Sequence, residues 1–284
     1  MAEKLKGTTV SRSLIEDLSA RMGKLSQQSI VPKLAFIRVG ERPEDLTYQK
    51  MVTKRCAKLG IQTELHAFAE DASQEAIAQA IEEINHDDTV SGCLMFRPLP
   101  KRFDEEALIK LLDPKKDMDG ITPASLYGVV TGQQVGFSPC TAEGVITLLD
   151  YYHVPICGAR VVVVGRSLVI GKPVANLLLS RDATVTICHS RTRDLNALTR
   201  QADILIVATG HPKMIGTAGL AAGQVVIDVG MNWDEQTKRF IGDVDEEAAE
   251  QIVKAYTPVP GGVGATTTAI LMKHVVEAAE RGIA

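Results

Sequence analysis

The feature that most constrains the fold of this chain is a run of four valines, residues 161–164, which leads into Gly165 and then Gly171. Consecutive β-branched residues of this kind are typical of a buried strand. Pro173 suits the first turn of a helix, where a missing N–H costs nothing. The free N–H groups and the dipole of that turn favour a pyrophosphate. The sequence therefore predicts a strand, loop and helix that bind a dinucleotide. A plain β–α turn is the alternative, because the spacing is not G-x-G-x-x-G.

Apolar runs alternate with helical patterns along the chain. The predicted strands cover residues 34–40, 63–67, 91–96, 160–164, 183–187, 203–207 and 224–229. The predicted helices include residues 11–25, 43–59, 73–85, 142–152 and 266–279. Strands separated by helices of this length pair in parallel, so the sequence predicts an α/β fold. The polar, turn-rich segment 113–120 marks a boundary between two lobes.

Composition and charge exclude several classes of protein. The formal net charge is -4 and the basic residues are scattered, so we expect no nucleic-acid partner. No apolar run reaches the ~20 residues of a membrane helix, and the first residues lack the apolar core of a secretory signal. The 5 cysteines are widely spaced without a C-x-x-C pair, and no histidine spacing indicates a metal site. We expect a reduced, cytoplasmic protein with no metal and no membrane partner.

The residues after the second strand of the dinucleotide motif bear on the choice between NAD and NADP. NAD sites usually carry an acidic residue there, which binds the ribose 2′-hydroxyl. Here Ser190 and Arg191 follow the strand, and the first carboxylate is that of Asp194. A hydroxyl and guanidinium groups, with Arg166 on the preceding loop, suit a 2′-phosphate. We predict NADP as the cofactor, and a solvated basic loop is the alternative.

Several segments spread over nearly the whole chain resemble the methylenetetrahydrofolate dehydrogenase/cyclohydrolase family. They are Tyr48, Pro98–Pro100, Lys116–Gly120, Pro139–Thr141, Gly165–Ser167, Gly171–Pro173, Cys188–Ser190, Val226–Gly230, Gly242–Asp245 and Pro258–Gly264. None is decisive alone, but their order and spacing together are specific. The resemblance implies an enzyme that oxidises the one-carbon unit of 5,10-methylenetetrahydrofolate with NADP and then hydrolyses the methenyl product to 10-formyltetrahydrofolate.

The resemblance also implies an architecture. The fold would be α/β with two lobes, an N-terminal α/β lobe plus a Rossmann-like NADP-binding lobe, with a cleft between them. Residues 1–120 and 265–284 would form the folate-binding catalytic lobe, and residues 121–264 the NADP-binding lobe. The resemblance further implies a homodimer built through the nucleotide-binding lobes.

The family pattern assigns roles to individual residues of this chain. Tyr48 would pack on the folate, and the Asp119 carboxylate would hold the pterin edge; these two are the predicted catalytic residues. A turn-capping aspartate ahead of Gly120 is the alternative for Asp119. The other predicted folate contacts are Val52, Phe96, Pro260, Gly261 and Gly262. The predicted NADP contacts are Gly165, Arg166, Ser167, Ser190, Arg191, Met231 and Thr141.

Several positions depart from the family pattern, and three of them belong to one polar cluster of the family. The family has a catalytic lysine four residues after the tyrosine, where this chain has Val52. Phe96 replaces a glutamine, and Asp45 replaces a serine. Lys50 and Lys54 are close in sequence to Val52, but helical steps of two and six residues from Tyr48 turn them away from its face.

These departures bear on the second reaction. Hydride transfer needs mainly orientation, whereas hydrolysis needs proton management near the attacking water, for which a lysine is suited and a valine is not. We therefore expect the dehydrogenase to survive and the cyclohydrolase to be weak or lost, with a separate cyclohydrolase as partner. The first alternative is a bifunctional enzyme in which Asp45 replaces the lysine. Further alternatives are a non-catalytic folate- or nucleotide-binding paralogue and a dehydrogenase of amino acids or small hydroxy acids.

Overall fold

The computed structural model describes residues 1–282. The strands are β1 (Glu3–Lys4), β2 (Lys33–Val39), β3 (Gln62–Phe68), β4 (Gly92–Met95), β5 (Arg160–Val164), β6 (Thr184–Cys188), β7 (Ile204–Val207), β8 (Val225–Asp228), β9 (Asn232–Asp234), β10 (Arg239–Ile241) and β11 (Ala255–Tyr256). The helices are α1 (Gly7–Gln27), α2 (Pro43–Leu59), α3 (Gln74–His86), α4 (Glu105–Leu111), α5 (Pro123–Thr131), α6 (Cys140–Tyr151), α7 (Gly171–Leu179), α8 (Leu195–Arg200), α9 (Glu246–Ile252) and α10 (Val263–Arg281).

The chain divides into two compact units. Unit 1 comprises residues 1–13 and 139–270, and unit 2 comprises residues 14–138 and the chain from residue 271 onward. These bounds differ from those of the predicted lobes mainly at residues 1–13 and 121–138. The first segment lies in unit 1 because Glu3 of β1 pairs with Ala255 of β11. The second lies in unit 2, where the Phe137 ring packs 4.8 Å from that of His274. Residues 283 and 284 of the predicted folate-binding lobe lie outside the described residues, and the assignment of folate and NADP to lobes with those bounds stays a prediction.

Unit 1 is built on a six-stranded sheet in the order β1-β11-β8-β7-β5-β6, in which every pair is parallel. The valines of β5 alternate between its two faces, as the period of a strand requires. Val161 and Val163 belong to a core cluster that contains residues of α6 and α7, and Val162 and Val164 belong to one that contains residues of α9. Burial on both faces explains why the strand is continuously apolar.

Unit 2 contains a three-stranded parallel sheet in the order β3-β2-β4. Ala35, Ile37 and Val39 of β2 share a buried cluster with apolar residues of α3 and α4. Helix α2 begins at Pro43, whose missing N–H is harmless there, and ends at Gly60, whose φ of 80° closes the helix as a left-handed cap. This helix carries Tyr48 and Val52.

The α/β prediction is confirmed, and each predicted strand lies within two residues of an observed one. Helix α1 begins at Gly7 rather than at the predicted residue 11. The sequence did not predict the short strands β1 and β11, the hairpin of β9 and β10, or helices α4, α5 and α9. The 5 cysteines are unpaired, and only Cys157 is exposed. Within the described residues, no helix is long and apolar enough to cross a membrane.

Candidate active site

The glycine loop after β5 is closed too tightly for side chains at two positions. Gly165 has φ of +130°, and a Cβ there would run into the carbonyl oxygen of Ala208. A Cβ at Gly171 would lie 2.5 Å from the carbonyl carbon of Gly165 and 2.7 Å from the amide nitrogen of Arg166. Ser167 braces the turn, because its Oγ accepts a bond from the Ile170 amide at 3.1 Å. Both glycines are therefore required by this loop.

The position of the loop in the sheet is the one at which doubly wound proteins bind dinucleotides. Strand β5 lies between β6 and β7, so the chain order reverses at its carboxyl end. Helix α7 begins at Gly171, directly after the loop, and its first N–H groups and dipole favour an anion. The predicted strand, loop and helix are all present. The loop and the first turn of α7 together suit a pyrophosphate.

Polar residues also follow the carboxyl end of the neighbouring strand, β6. The Gly165 amide donates to the Cys188 carbonyl at 2.9 Å and so joins the ends of β5 and β6. The next turn is closed by the His189 amide, which donates to Thr192 Oγ1 at 2.8 Å. Ser190 and Arg191 of this turn are exposed, as are Arg166 and Ser167 on the glycine loop. Neither Arg166 nor Arg191 forms an ion pair within residues 1–282, so their guanidinium groups remain available to a phosphate.

Two buried carboxylates fix the loops at the carboxyl ends of β7 and β8. Asp228 accepts bonds from the amides of Gly230, Asp243 and Val244 at 2.8–3.0 Å. Asp243 in turn accepts from the Thr209 and Gly210 amides at 2.6 and 2.9 Å. Burial raises the pKa of Asp228 to about 7, and the three amide donors oppose that rise. The sequence pattern alone predicts no role for these aspartates, although both lie in segments that carry the family resemblance.

The other predicted ligand residues of unit 1 lie on separate elements. Thr141 is half-buried in the first turn of α6. Met231 follows the Asp228 network, with 61% of its surface exposed, and its sulfur lies near Gly264. Pro260 is exposed, and the Gly261 carbonyl accepts a bond from the Thr8 amide at 3.2 Å. Together these contacts place Met231 and the 260–262 loop on one stretch of the unit 1 surface.

In unit 2 the structure brings Tyr48 and Phe96 into contact. Their ring centroids are 6.1 Å apart at an interplanar angle of 77°, and Phe96 makes a similar edge contact with Phe36 at 5.8 Å. Phe96 is only 5% exposed and Val52 is 0% exposed. Phe96 therefore forms a buried apolar wall beside the tyrosine, and Val52 on the same helix as Tyr48 is fully buried.

Asp119 follows a segment that runs beside β4. Asp117 forms a parallel bridge with Cys93, and the Met118 amide donates to the Cys93 carbonyl at 3.3 Å. Because the pairing is parallel, the chain carries half-buried Asp119 toward the carboxyl end of β4, where Phe96 lies. Asp117 caps the following turn, since it accepts from the amides of residues 121 and 122, and both roles of Asp119, pterin binding and turn capping, stay predictions.

Comparisons with known proteins identify the family. Residues 5–119 match the model of the tetrahydrofolate dehydrogenase/cyclohydrolase catalytic domain, and residues 139–283 match the model of the NAD(P)-binding domain of the same enzymes. The chain belongs to the tetrahydrofolate dehydrogenase/cyclohydrolase family. It is 46% identical to the bifunctional protein FolD of Carboxydothermus hydrogenoformans over 99% of this chain and 98% of that protein.

Solved structures of the tetrahydrofolate dehydrogenase/cyclohydrolase family are similar over the full chain. The bifunctional enzyme FolD from Campylobacter jejuni has a TM-score of 0.96 at 36% identity, with 99% of each chain covered. The FolD of Trypanosoma brucei, which was crystallised with NADP and an inhibitor, has a TM-score of 0.93 at 31% identity and covers 99% of this chain and 98% of that one. The predicted family and its two-unit α/β fold are thus confirmed.

The structure locates the residues at which this chain departs from the tetrahydrofolate dehydrogenase/cyclohydrolase pattern. Lys50 and Lys54 are both exposed, in keeping with their helical offset from Tyr48. Asp45 is buried, and its Oδ2 pairs with the guanidinium of Arg42 at 2.8 Å. That pairing occupies one carboxylate oxygen of the only titratable substitute that the sequence offered.

Arg97 and Arg55 are the remaining cations of interest in the catalytic domain. Arg97 pairs with Glu105 at 2.7 Å, and Glu105 also accepts from the Leu99 amide at 2.6 Å. The basic pattern of the helix predicts a solvated face that includes Arg55, although Arg55 lies seven residues after Tyr48 and therefore on nearly the same helix face. Its Nη1 is buried without a hydrogen-bond partner. No group of His, Cys, Asp and Glu within residues 1–282 could hold a metal ion.

Proposed function

We propose that this chain is an NADP-dependent methylenetetrahydrofolate dehydrogenase that also hydrolyses its methenyl product. The observation that carries the proposal is the closed glycine loop at the carboxyl end of β5. Its neighbours are exposed Arg166, Ser190 and Arg191, with no carboxylate on the β6 loop before Asp194. This donor set suits a pyrophosphate and a 2′-phosphate. The glycine loop and these cations would hold NADP, which would supply the acceptor for a hydride from the methylene carbon of the folate.

The folate side of the proposal rests on Tyr48, Phe96 and Asp119. A carboxylate can accept two roughly parallel N–H bonds from the 2-amino group and ring nitrogen of a pterin. The edge-packed pair of Tyr48 and Phe96 offers an apolar surface for the ring system. Hydride transfer asks these residues only to bind and orient the substrate, because the substrate nitrogens stabilise the cation that forms. None of them has to move a proton in this step.

The dehydrogenase assay is direct. Protein, NADP and methylenetetrahydrofolate should give NADPH, and NAD should be a poorer substrate. Asp119→Ala should lower kcat/KM for folate by about 100-fold, because a charge-assisted pair of hydrogen bonds contributes roughly 3 kcal/mol. Asp113→Ala, which removes a carboxylate from the preceding turn, is the matched control. No NADPH with either cofactor would instead favour a non-catalytic paralogue or another substrate class.

The relatives support the bifunctional alternative better than a lost cyclohydrolase, because two of them are named bifunctional and the third is named a dehydrogenase-cyclohydrolase. They give no support to a separate cyclohydrolase partner. One observation still favours a dehydrogenase without the second activity: Val52, at the position of the family lysine, is 0% exposed and has no ionisable group. Loss of methenyltetrahydrofolate absorbance decides between the two functions. Decay at the buffer rate, with a gain after Val52→Lys, would establish the dehydrogenase-only enzyme.

We also propose that the protein is a homodimer through unit 1. Strand β6 is an edge strand of the six-stranded sheet, and Ile187 on it is 40% exposed. Leu168, Val169 and Leu179 of the same unit are also exposed, at 48–60%. An open apolar edge is a pairing surface that proteins normally cover. Light scattering after size-exclusion chromatography should give twice the mass of one chain. Ile187→Lys should reduce this measured mass toward that of a single chain.

A further inference from the structure

Arg55 carries an unsatisfied buried donor. Its Nη1 is the only buried side-chain nitrogen or oxygen within residues 1–282 that has no hydrogen-bond partner. Native proteins rarely keep such a group, since an unmade hydrogen bond to a buried donor costs roughly 1–3 kcal/mol. A guanidinium donates five N–H bonds and accepts none. The unpaired nitrogen therefore indicates that an acceptor from outside the protein binds at this point.

The helix places this donor on the side of α2 that carries Tyr48. Arg55 follows Tyr48 by seven residues, which is two turns and an angular offset of only about 20°. Val52 lies about 4.5 Å closer to the start of the helix. Because side chains on a helix lean toward its N-terminus, the long arginine side chain extends back over the turn of Val52. A cation at position 55 can thus occupy the level at which the family carries its lysine.

The other cations of α2 and of the adjoining strand do not fill this role. Lys50 and Lys54 are exposed on the opposite side of the helix, and Lys58 in its last turn is also exposed. Arg42 is paired with Asp45, and buried Arg38 donates to Gln49 and to a backbone carbonyl. Arg55 is therefore the cation of this region that retains a buried, uncommitted N–H.

We infer that Arg55 Nη1 donates to the oxygen of the water that attacks the methenyl carbon, and so replaces the missing lysine electrostatically. The inference rests on the proposed function. In the first step the water oxygen forms a bond to the methenyl carbon of the cation, and one water proton leaves to solvent. The hydroxyl proton of the adduct then passes to N5 while the N5–carbon bond breaks, which gives 10-formyltetrahydrofolate. The guanidinium stays protonated throughout and stabilises the hydroxide form of the bound water.

The test compares two rates in the enzyme: NADPH formation and loss of methenyltetrahydrofolate. Arg55→Met keeps the length and apolar stem of the side chain but removes the charge, and should lower the ratio of hydrolysis to dehydrogenation at least tenfold. Its hydrolysis should also level off at a higher pH than that of the wild type, because the bound water loses a stabilising charge. Arg55→Lys should recover part of the rate. Lys54→Met, one residue away on the exposed face, is the control and should change neither reaction.

The outcomes separate this inference from the proposed function. If the wild type makes NADPH but leaves methenyltetrahydrofolate to decay at the buffer rate, the bifunctional proposal fails and the inference fails with it. If the wild type hydrolyses the methenyl compound and Arg55→Met does so equally well with the same pH profile, the inference alone is wrong. If Arg55→Met instead raises the KM for folate and slows both reactions equally, Arg55 binds the substrate, and the assignment to water is overturned.

Discussion

Replacing Gly171 with alanine should weaken NADP binding because the glycine loop has no room for one methyl group. The added Cβ would lie 2.5 Å from the carbonyl carbon of Gly165 and 2.7 Å from the Arg166 nitrogen. Carbon atoms pack at about 3.5–4.0 Å, so the loop would have to move by about 1 Å. Both neighbours are backbone atoms of the loop that leads into α7, and neither can rotate away as a side chain would.

A displacement of that size sets the expected magnitude. Misplacing a bound group by about 1 Å can cost about 100-fold in rate, which corresponds to roughly 2.7 kcal/mol. We therefore expect kcat/KM for NADP to fall by about two orders of magnitude in Gly171→Ala. Binding of a folate analogue should stay within about twofold of the wild type, because the catalytic-domain residues are unchanged.

The assay measures NADPH formation over a range of NADP concentrations and NADP affinity by calorimetry. Gly216→Ala is the matched control, since a Cβ at Gly216 meets nothing within 4 Å and the residue does not require a positive φ. Thermal unfolding of both variants shows whether the fold survives. A folded Gly171→Ala that binds and reduces NADP like the wild type would refute the assignment of this loop to the pyrophosphate.

Three further predictions test other parts of the molecule. Ser190→Asp should lower the ratio of NADP to NAD activity at least tenfold, because a carboxylate repels a 2′-phosphate and can accept from a 2′-hydroxyl; an unchanged ratio would contradict the NADP assignment. Asp228→Asn should lower the free energy of unfolding by about 1–3 kcal/mol, because an amide NH₂ cannot accept from the Val244 amide. Because the pKa of Asp228 is raised on folding, its contribution to the free energy of unfolding is full below the ordinary carboxyl pKa and is lost as pH rises through about 7. The difference in unfolding free energy between the wild type and Asp228→Asn, measured with urea, should therefore be larger near pH 5 than near pH 8. His274→Ala should cost roughly 2–4 kcal/mol, since the buried ring packs on Phe137 and its Nδ1 lies 2.8 Å from the Met118 carbonyl; a change below 1 kcal/mol in the same measurement would show that this contact is not structural.

The sequence predicted the parts of the fold whose signal is local. The valine run, Gly165 and Gly171 defined the strand, loop and helix, because β-branched residues, glycine and proline each restrict the backbone directly. The parallel pairing of the long strands followed from the intervening helices. Strands β1 and β11 could not be predicted, since two residues such as Glu3 and Lys4 show no periodicity and become a strand only by pairing with the sheet edge.

The residues of the site divide in the same way. The order of short motifs along the chain predicted the family, located the glycine loop and showed that valine stands at the lysine position, residue 52. Each of these depends only on residue identity and spacing. Partners are not encoded in spacing: only the folded chain shows that Arg97 is held by Glu105, that Asp117 provides the turn caps beside Asp119, and that Arg55 keeps a buried donor unpaired. Hydrogen bonds form between groups that tertiary packing brings within about 3 Å, so which charge is neutralised and which is left for a ligand is decided by the fold and not by the sequence pattern.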